Sequence, residues 1–387
     1  MTRILIFIGH YLPATRAGGP VRSVTSMVES LKNEEFSIFT SETDFKSSKV
    51  LDGITMDSWQ QKDSTLLFYA SSRNRGLRGL RRTLIETTPD LVYLNSFFAR
   101  RFTFPILVLR KLHLVPRYPT IVAPRGEFSR GALAIKPVRK RVYLSLARWL
   151  GLYQGIVWHA CSTMEMENIR RIQGPHARII LAPNFPPAPH PDALTQHLPK
   201  QQNLCRLVFL SRISPKKNLI GALQALSLIS GRVEFDIYGP IEDSAYWVKC
   251  QDALKALPSN VTARYCGAVD PDQVETVFSR YDALFLPTWG ENYGFAIVEA
   301  WAAATPVLIS DCTPWRNLES DQAGWTAAPD DHHRFASHIV TLVKMNEAEH
   351  VRWRTGALAR AATLANDLSL ESAYVSLFQQ AFDATIP

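Results

Sequence analysis

Near-continuous runs of β-branched and aromatic residues, each followed by a stretch with helical spacing, constrain the fold of this chain more than any other feature. Residues 3–10, 36–41, 91–95, 120–123, 155–159 and 178–183 read as strands, with helical periodicity between them, as in 21–31 and 133–150. Strands that lack polar alternation are buried on both faces, as in parallel sheets covered by crossover helices. The pattern lapses over 182–200, which holds six prolines and reads as a linker. It then restarts, with strands expected at 206–210, 234–238, 261–265, 283–287 and 306–310 and a last helix at about 369–382. A chain of 387 residues is too long for one ordinary domain. The expectation is α/β architecture: two doubly wound Rossmann-like domains facing across a cleft, 1–190 and 191–364, with about 365–387 as a terminal helix. Ligands of such sheets sit at the carboxyl ends of strands.

Five cysteines (Cys161, Cys205, Cys250, Cys266, Cys312) are scattered without CxxC or histidine at metal spacing, which fits reduced, mostly buried thiols of a cytoplasmic protein. The apolar start is too brief for a signal-peptide core, and no run of eighteen apolar residues is present. The net charge of +8 is uneven: residues 1–190 hold 27 Lys and Arg against 13 Asp and Glu. A basic first half suits an anionic partner such as lipid headgroups, a pyrophosphate-linked acceptor or nucleic acid, or is simply a solvated surface. Its dense clusters are Arg73, Arg75, Arg78, Arg81 and Arg82, and Lys136 with Arg139, Lys140 and Arg141. Along 136–153, Leu144, Ala147 and Leu150, and Val142, Leu146 and Trp149, recur at helical spacing. Most of that face is expected in the core, membrane contact being the alternative.

Three elements carry chemistry. The segment 286–311 reads as a strand end, a polar loop and an Ala-rich helix beginning near Gly294. Free amides over Tyr293, Gly294, Phe295 and Ala296 suit a pyrophosphate or sugar hydroxyls, with Glu291 and Asn292 just before them and Glu299 one turn in. A carboxylate can bind a ribose diol; an isolated pair of acids is otherwise usually solvent-exposed. The segment 209–219 sets Arg212 and Lys217 at a strand end beside a helix start, where a guanidinium fork and an ammonium can neutralise a leaving diphosphate. The loop 11–20 contains Gly18 and Gly19, which let backbone approach a phosphate, although an ordinary turn has the same composition.

These residues resemble a retaining glycosyltransferase of family 4 (glycosyl transferases group 1), of GT-B architecture. Glu291 and Glu299 meet its Glu-x7-Glu pattern, and Arg212 and Lys217 its Arg-x4-Lys. The Gly18–Gly19 loop, the Gly267-Ala268-Val269 turn and the Thr305-Pro306-Val307 passage also fit. The resemblance is continuous over roughly 205–330 and looser before it. It implies that Glu291 lies against the donor sugar, Glu299 binds ribose, Arg212 and Lys217 hold the diphosphate, and Ala268 and Val269 contact the base. It also implies that residues after about 365 pack on the first half, and that the diphosphate departs while the acceptor hydroxyl attacks the same face. Two departures stand out: Asn292 follows Glu291 where many relatives carry Gly, and Arg125 stands at or near the place of an acceptor-loop histidine. Arg125 and Gly126 are then expected to bind an anion or orient the acceptor. Glu127 is expected to touch the acceptor or to pair with Arg125 or Arg130. No metal ligand set is read, no cofactor is expected, and the partners are a UDP- or GDP-sugar and a glycan or polyprenyl-linked acceptor. Bacterial surface-polysaccharide assembly is the implied setting, with peripheral attachment at the inner face of the cytoplasmic membrane. The competing readings are an epimerase or hydrolase of nucleotide sugars on the same fold, a non-catalytic relative, and a basic nucleic-acid binder. The last lacks an aromatic RNA-binding motif or a recognition helix.

Overall fold

The run Ile4-Leu5-Ile6-Phe7 is wholly buried in β1 (Arg3–Phe7), as a central strand covered on both faces must be. The computed structural model describes residues 1–14, 16–134 and 137–384, the side chains of Arg130 and Ala134 apart. Lys136 and residues 385–387 therefore lie outside the described residues. By internal contacts the chain forms two units, Met1–Phe185 with Leu368–Pro387, and Pro186–Asp367.

The first unit runs through α1 (Gly19–Ser30), β2 (Glu35–Ser41), β3 (Trp59–Lys62), β4 (Thr65–Ala70), α2 (Leu77–Thr87), β5 (Leu91–Asn95) and α3 (Thr103–Lys111). It continues with β6 (Thr120–Ala123), α4 (Arg130–Ala134), α5 (Pro137–Trp149), β7 (Val157–Ala160), α6 (Thr163–Gln173) and β8 (Ile179–Leu181). Its sheet has the order β3-β4-β2-β1-β5-β6-β7-β8, parallel except where β3 pairs antiparallel with β4. Val21, Val24, Met27 and Val28 of α1 line the core on one side of the sheet. Leu80 and Leu84 of α2, Ile106 and Leu107 of α3, Ala147 of α5 and Ile169 of α6 line the other.

The second unit comprises β9 (Leu204–Leu210), α7 (Leu219–Leu226), β10 (Arg232–Tyr238), α8 (Ser244–Lys255), β11 (Val261–Gly267) and α9 (Val274–Phe278). It goes on with β12 (Ala283–Leu286), α10 (Phe295–Ala302), β13 (Val307–Ser310), β14 (Gly324–Ala327), α11 (His332–Lys344) and α12 (Glu347–Ala365). Its parallel sheet has the order β11-β10-β9-β12-β13-β14, so the chain reverses its direction of travel between β9 and β12. The last helix, α13 (Ser369–Asp383), belongs to the first unit. Tyr374, Leu377, Phe378 and Ala381 join the α1 side of its core, and Tyr374 stacks on Phe185 at 5.1 Å.

Three strands go beyond the sequence reading. β3 is a polar edge segment, Trp-Gln-Gln-Lys, with no apolar run; it turns tightly through Asp63 (φ 51°) into β4, which was not anticipated either. β14 opens on Gly324 and is too short to show a period. Two expectations are corrected. The strand expected at 206–210 does end at Leu210, so Arg212 stands two residues past the strand end it was assigned to, and the helix start expected beside Lys217 is a 3-10 turn, Pro215–Lys217, before α7. Of the residues expected in the core over 136–153, Ala147 is buried and Leu144 and Leu150 pack half-buried against the core, whereas Val142, Leu146 and Trp149 are exposed. Tyr143 takes up the inward packing, its ring 5.4 Å from that of Phe97 and 5.5 Å from that of Phe104. All five cysteines are free thiols; Cys161, Cys205 and Cys250 are buried, and Cys266 is exposed.

Candidate active site

A parallel sheet opens a crevice where strand order reverses, because the loops leaving the two adjacent strands diverge to opposite faces. In the second unit that point lies between β9 and β12, and the residues singled out in 209–219 and 286–299 flank it. Local chemistry ties the two loops together. Asn218, buried and left-handed (φ 59°), caps α7 by accepting from the Gly221 amide at 3.3 Å. Its side-chain amide donates to the carbonyls of Pro287 and Pro329, both at 2.9 Å. The Trp289 amide donates to the Lys216 carbonyl at 2.8 Å, and the Thr288 hydroxyl to the same oxygen at 3.1 Å. The Ser310 hydroxyl donates to the Thr288 carbonyl at 2.5 Å, and the Glu291 amide to the Cys312 carbonyl at 3.2 Å.

This stitching brings Lys217 onto Glu291 as a nearly buried ion pair. Burial opposes the charge on Glu291, but Lys217, Lys216 and Arg212 outweigh it and hold the carboxyl below the ordinary glutamate range. Arg212 pairs with Glu242 at 3.0 Å, both half-buried. Both cations expected to face a diphosphate thus carry carboxylate partners, and Glu242, Lys216 and Asn218 join the site unforeseen. Glu242 follows the end of β10 by four residues, so its position at the same sheet edge was the available signal.

Gly294 (φ 84°) precedes α10 with no side-chain cap, and a Cβ there would meet Ile297 Cδ1 at 2.8 Å. The amides of Phe295 and Ala296 come before the helix's first internal bond, from Ile297 to the Gly294 carbonyl at 2.9 Å. Tyr293 is buried against Phe295 and Trp315, and the Trp315 indole donates to its carbonyl at 2.6 Å. Asn292 is half-buried in the loop, and Glu299 is half-buried in the second turn of α10. Ala268 and Val269 follow β11, the edge strand, at the same carboxyl edge; Ala268 is exposed. Among the described residues no group of three or more His, Cys, Asp or Glu is arranged to hold a metal ion.

Gly18, Gly19 and the 125–127 loop lie in the first unit. Gly18 (φ 65°) precedes α1 with open space where a Cβ would stand. Arg125 and Gly126 are both left-handed, at φ 54° and 78°. The Arg125 guanidinium donates to Asn95 Oδ1 at 2.8 Å, Asn184 Oδ1 at 3.0 Å and Tyr93 Oη at 2.8 Å. Tyr93 in turn donates to His159 Nδ1 at 2.5 Å, because His159 Nε2 must carry the proton it gives to the Ala182 carbonyl at 2.7 Å. Burial, reinforced by Arg125, pushes His159 down to about 3, so it stays neutral. Glu127 does not make the ion pair expected with Arg125. One oxygen accepts from Ser96 Oγ at 2.7 Å, and the other from the amides of Phe97 at 2.6 Å and Phe98 at 2.9 Å. Burial raises its carboxyl above the ordinary range despite those bonds. Both side chains are committed to holding the loop, and the side chain of Arg130 lies outside the described residues.

Residues 205–345 match the family model described as Glycosyl transferases group 1. O-antigen chain mannosyltransferase B of Escherichia coli is 27% identical over 169 residues, which span 43% of this chain and 42% of that relative's length. The fold is similar to sucrose-phosphate synthase from Thermosynechococcus elongatus, with a TM-score of 0.74 at 15% identity over 100% of both chains. It is also similar to HepE of Anabaena, solved with UDP and glucose, with a TM-score of 0.70 at 14% identity over 98% of this chain and 100% of that one. The two Rossmann-like units are of GT-B type.

The Lys217–Glu291 pair makes a stability prediction. A carboxyl held low in the folded state adds stability in full at neutral pH, and loses it as pH falls below the ordinary glutamate range. Lys217→Met leaves a buried carboxylate unpaired and should cost about 3 kcal/mol at pH 7. Adding Glu291→Gln should recover part of that loss. Urea unfolding at pH 7 and at acid pH checks this; an unchanged midpoint in Lys217→Met at neutral pH would contradict the coupling.

Proposed function

We propose that this chain, a glycosyl transferases group 1 protein over its second unit, moves a hexose-type sugar from a nucleoside-diphosphate sugar to a glycan or lipid-linked acceptor with retention at the anomeric carbon. The observation that carries the reading is Glu291, kept ionised by Lys217, Lys216 and Arg212 beside the uncapped start of α10. Three cationic side chains next to the first amides of a helix suit a diphosphate, and their value rises as charge develops on the departing oxygen. The bond between the anomeric carbon and the phosphate oxygen breaks, and its electron pair leaves with the nucleoside diphosphate. The acceptor oxygen bonds to the same face and its proton passes to the departing phosphate. In this scheme Arg212 and Lys217 exchange their carboxylate partners for phosphate oxygens. Glu291 then orients the sugar, Glu299 takes the ribose hydroxyls, and Ala268 and Val269 line the base. In the first unit, Gly18 and Gly19 offer close backbone approach, while Arg125, Gly126 and Glu127 shape the acceptor loop. The Escherichia coli relative's name favours mannose as the first sugar to test, and surface-polysaccharide assembly as the setting. Reversible attachment to an anionic leaflet, where a lipid-linked acceptor is confined, belongs to the same reading.

Transfer from UDP- and GDP-linked hexoses to a glycan acceptor, with the product's anomer assigned, is the direct test. Arg212→Ala should lower kcat by about 3 kcal/mol in barrier, more than a hundredfold. Turnover at the wild-type rate would remove Arg212 from catalysis, and nucleotide release without any acceptor product would favour the epimerase or hydrolase reading.

Calorimetry with the bare nucleoside diphosphate separates the acids. Glu299→Ala should weaken binding because the ribose contact needs no sugar, whereas Glu291→Ala should leave it nearly intact while transfer falls. Equal losses would refute the division.

The diphosphate charge is met here by protein cations, so activity should survive EDTA. Abolition by the chelator with rescue by magnesium or manganese would overturn that part of the scheme.

A further inference from the structure

Helix α5 presents to solvent a stripe of which three members, Val142, Leu146 and Trp149, are expected in the core from the sequence period. Val138, Val142, Leu146 and Trp149 follow one another at intervals of four, four and three residues and so share one face of the helix. They are 69%, 61%, 46% and 80% exposed. The opposite face does the packing, through Ala147, Tyr143 and Leu144. Isolated exposed apolar residues need no explanation, but four in one stripe with a nearly free indole do.

Charge identifies what covers the stripe. Residues 91–164 hold twelve Lys and Arg and a single acid, Glu127. That acid's carboxylate is turned onto Ser96, Phe97 and Phe98. On α5 itself Arg139 and Arg141 flank the apolar stripe and are exposed, and the helix carries no acid. Two expected members of the basic clusters turn inward instead. Arg75 is paired with Glu42 at 2.8 Å, both nearly buried, and Lys140 donates to the Ala132 carbonyl at 2.5 Å with its ammonium 5.0 Å from the Phe98 ring. Arg139 and Arg141 remain exposed beside the stripe on α5, and Arg73, Arg78, Arg81 and Arg82 remain exposed at and before α2. Helices α2 and α3 line the same side of the sheet as α5, and Leu77 at the start of α2 and Leu112 just past α3 are also exposed. An apolar stripe with tryptophan at one end and arginines along its flanks is the composition of a helix lying in a lipid interface. No helix among the described residues is long and apolar enough to cross a membrane.

We propose that the outer face of α5 is the lipid-contacting surface of this protein, with Val138, Val142, Leu146 and Trp149 entering the interface of an anionic bilayer and Arg139 and Arg141 meeting its headgroups. The inference rests on the peripheral attachment proposed above and changes its physical nature. Attachment has an apolar component that salt does not screen, beside an electrostatic one that it does.

Sedimentation of the full chain with phosphatidylcholine vesicles, with and without phosphatidylglycerol, tests it. Wild type should bind vesicles containing phosphatidylglycerol and keep a measurable share of that binding at high salt. Val142→Ser with Trp149→Ser removes only exposed side chains. It should bind at least about tenfold more weakly and lose all binding at high salt, with an unchanged circular dichroism spectrum and unchanged transfer to a soluble acceptor. Arg139→Gln with Arg141→Gln should weaken binding about thirtyfold at low salt. Equal binding by wild type and Val142→Ser, Trp149→Ser at every salt concentration would overturn the role of the stripe and leave attachment by charge alone. A wild-type dimer in analytical ultracentrifugation that this variant dissolves would assign the face to a second copy and equally overturn the proposal. Failure of wild type to bind any vesicle would overturn both this inference and the attachment reading, while the transferase reading stands or falls on product formation.

Discussion

A buried asparagine amide holds the second unit's site in register. Asn218 ends the turn after β9, caps α7 with its oxygen, and spends both amide hydrogens on carbonyls from two other loops. Few side chains can do this. Asparagine tolerates the left-handed backbone, and its amide offers an acceptor and two donors on one rigid plane. Once Pro287 is fixed relative to Lys216 and Lys217, the rest of the 287–294 loop has little freedom. Trp289 and Thr288 bond to the Lys216 carbonyl, and Glu291 arrives beside Lys217. The placing of the acid and the cations is therefore set by hydrogen bonds between neutral groups.

The first unit solves a related problem differently. Arg125 is held in a strained left-handed turn by three neutral oxygen partners, and its charge reaches Tyr93 and a histidine that burial keeps unprotonated. This relay joins the ends of β5, β6, β7 and β8 without a direct ion pair to the guanidinium. Glu165 completes the corner by accepting from the amides of Gly126 at 2.6 Å and Cys161 at 2.9 Å. A carboxylate that satisfies two backbone donors needs no cation to justify its burial.

Much of this was legible in the residues. Buried parallel strands announce themselves as unbroken apolar runs, so β1, β5, β6, β9, β10 and β12 were visible before any coordinates. Glu291, Glu299, Arg212 and Lys217 stood out through the Glu-x7-Glu and Arg-x4-Lys spacings by which the chain resembles a glycosyltransferase, set in a loop that ends at a helix start. What escaped was decided by tertiary context. β3 is polar and pairs only because β4 offers it an edge. Glu242 matters because β10 ends next to β9. One of the two apolar rows of α5, Val142, Leu146 and Trp149, faces solvent because periodicity reports that a helix has an apolar side, not which neighbour that side meets. The spacing of Leu144, Ala147 and Leu150 marked the inward row, but nothing in the spacing of Val142, Leu146 and Trp149 says that Tyr143 would pack inward in their place.

The membership of α13 in the first unit has a consequence for how the polypeptide matures. Residues 1–185 leave the ribosome early, yet one side of their sheet is completed by Tyr374, Leu377, Phe378 and Ala381, synthesised nearly two hundred residues later. Until then the sheet surface that receives those side chains stays open. The second unit is contiguous from Pro186 to Asp367. The first unit can therefore be completed only after the whole of the second unit has been synthesised. In the interval the first unit carries an unfinished apolar surface, the kind of transient exposure that favours self-association.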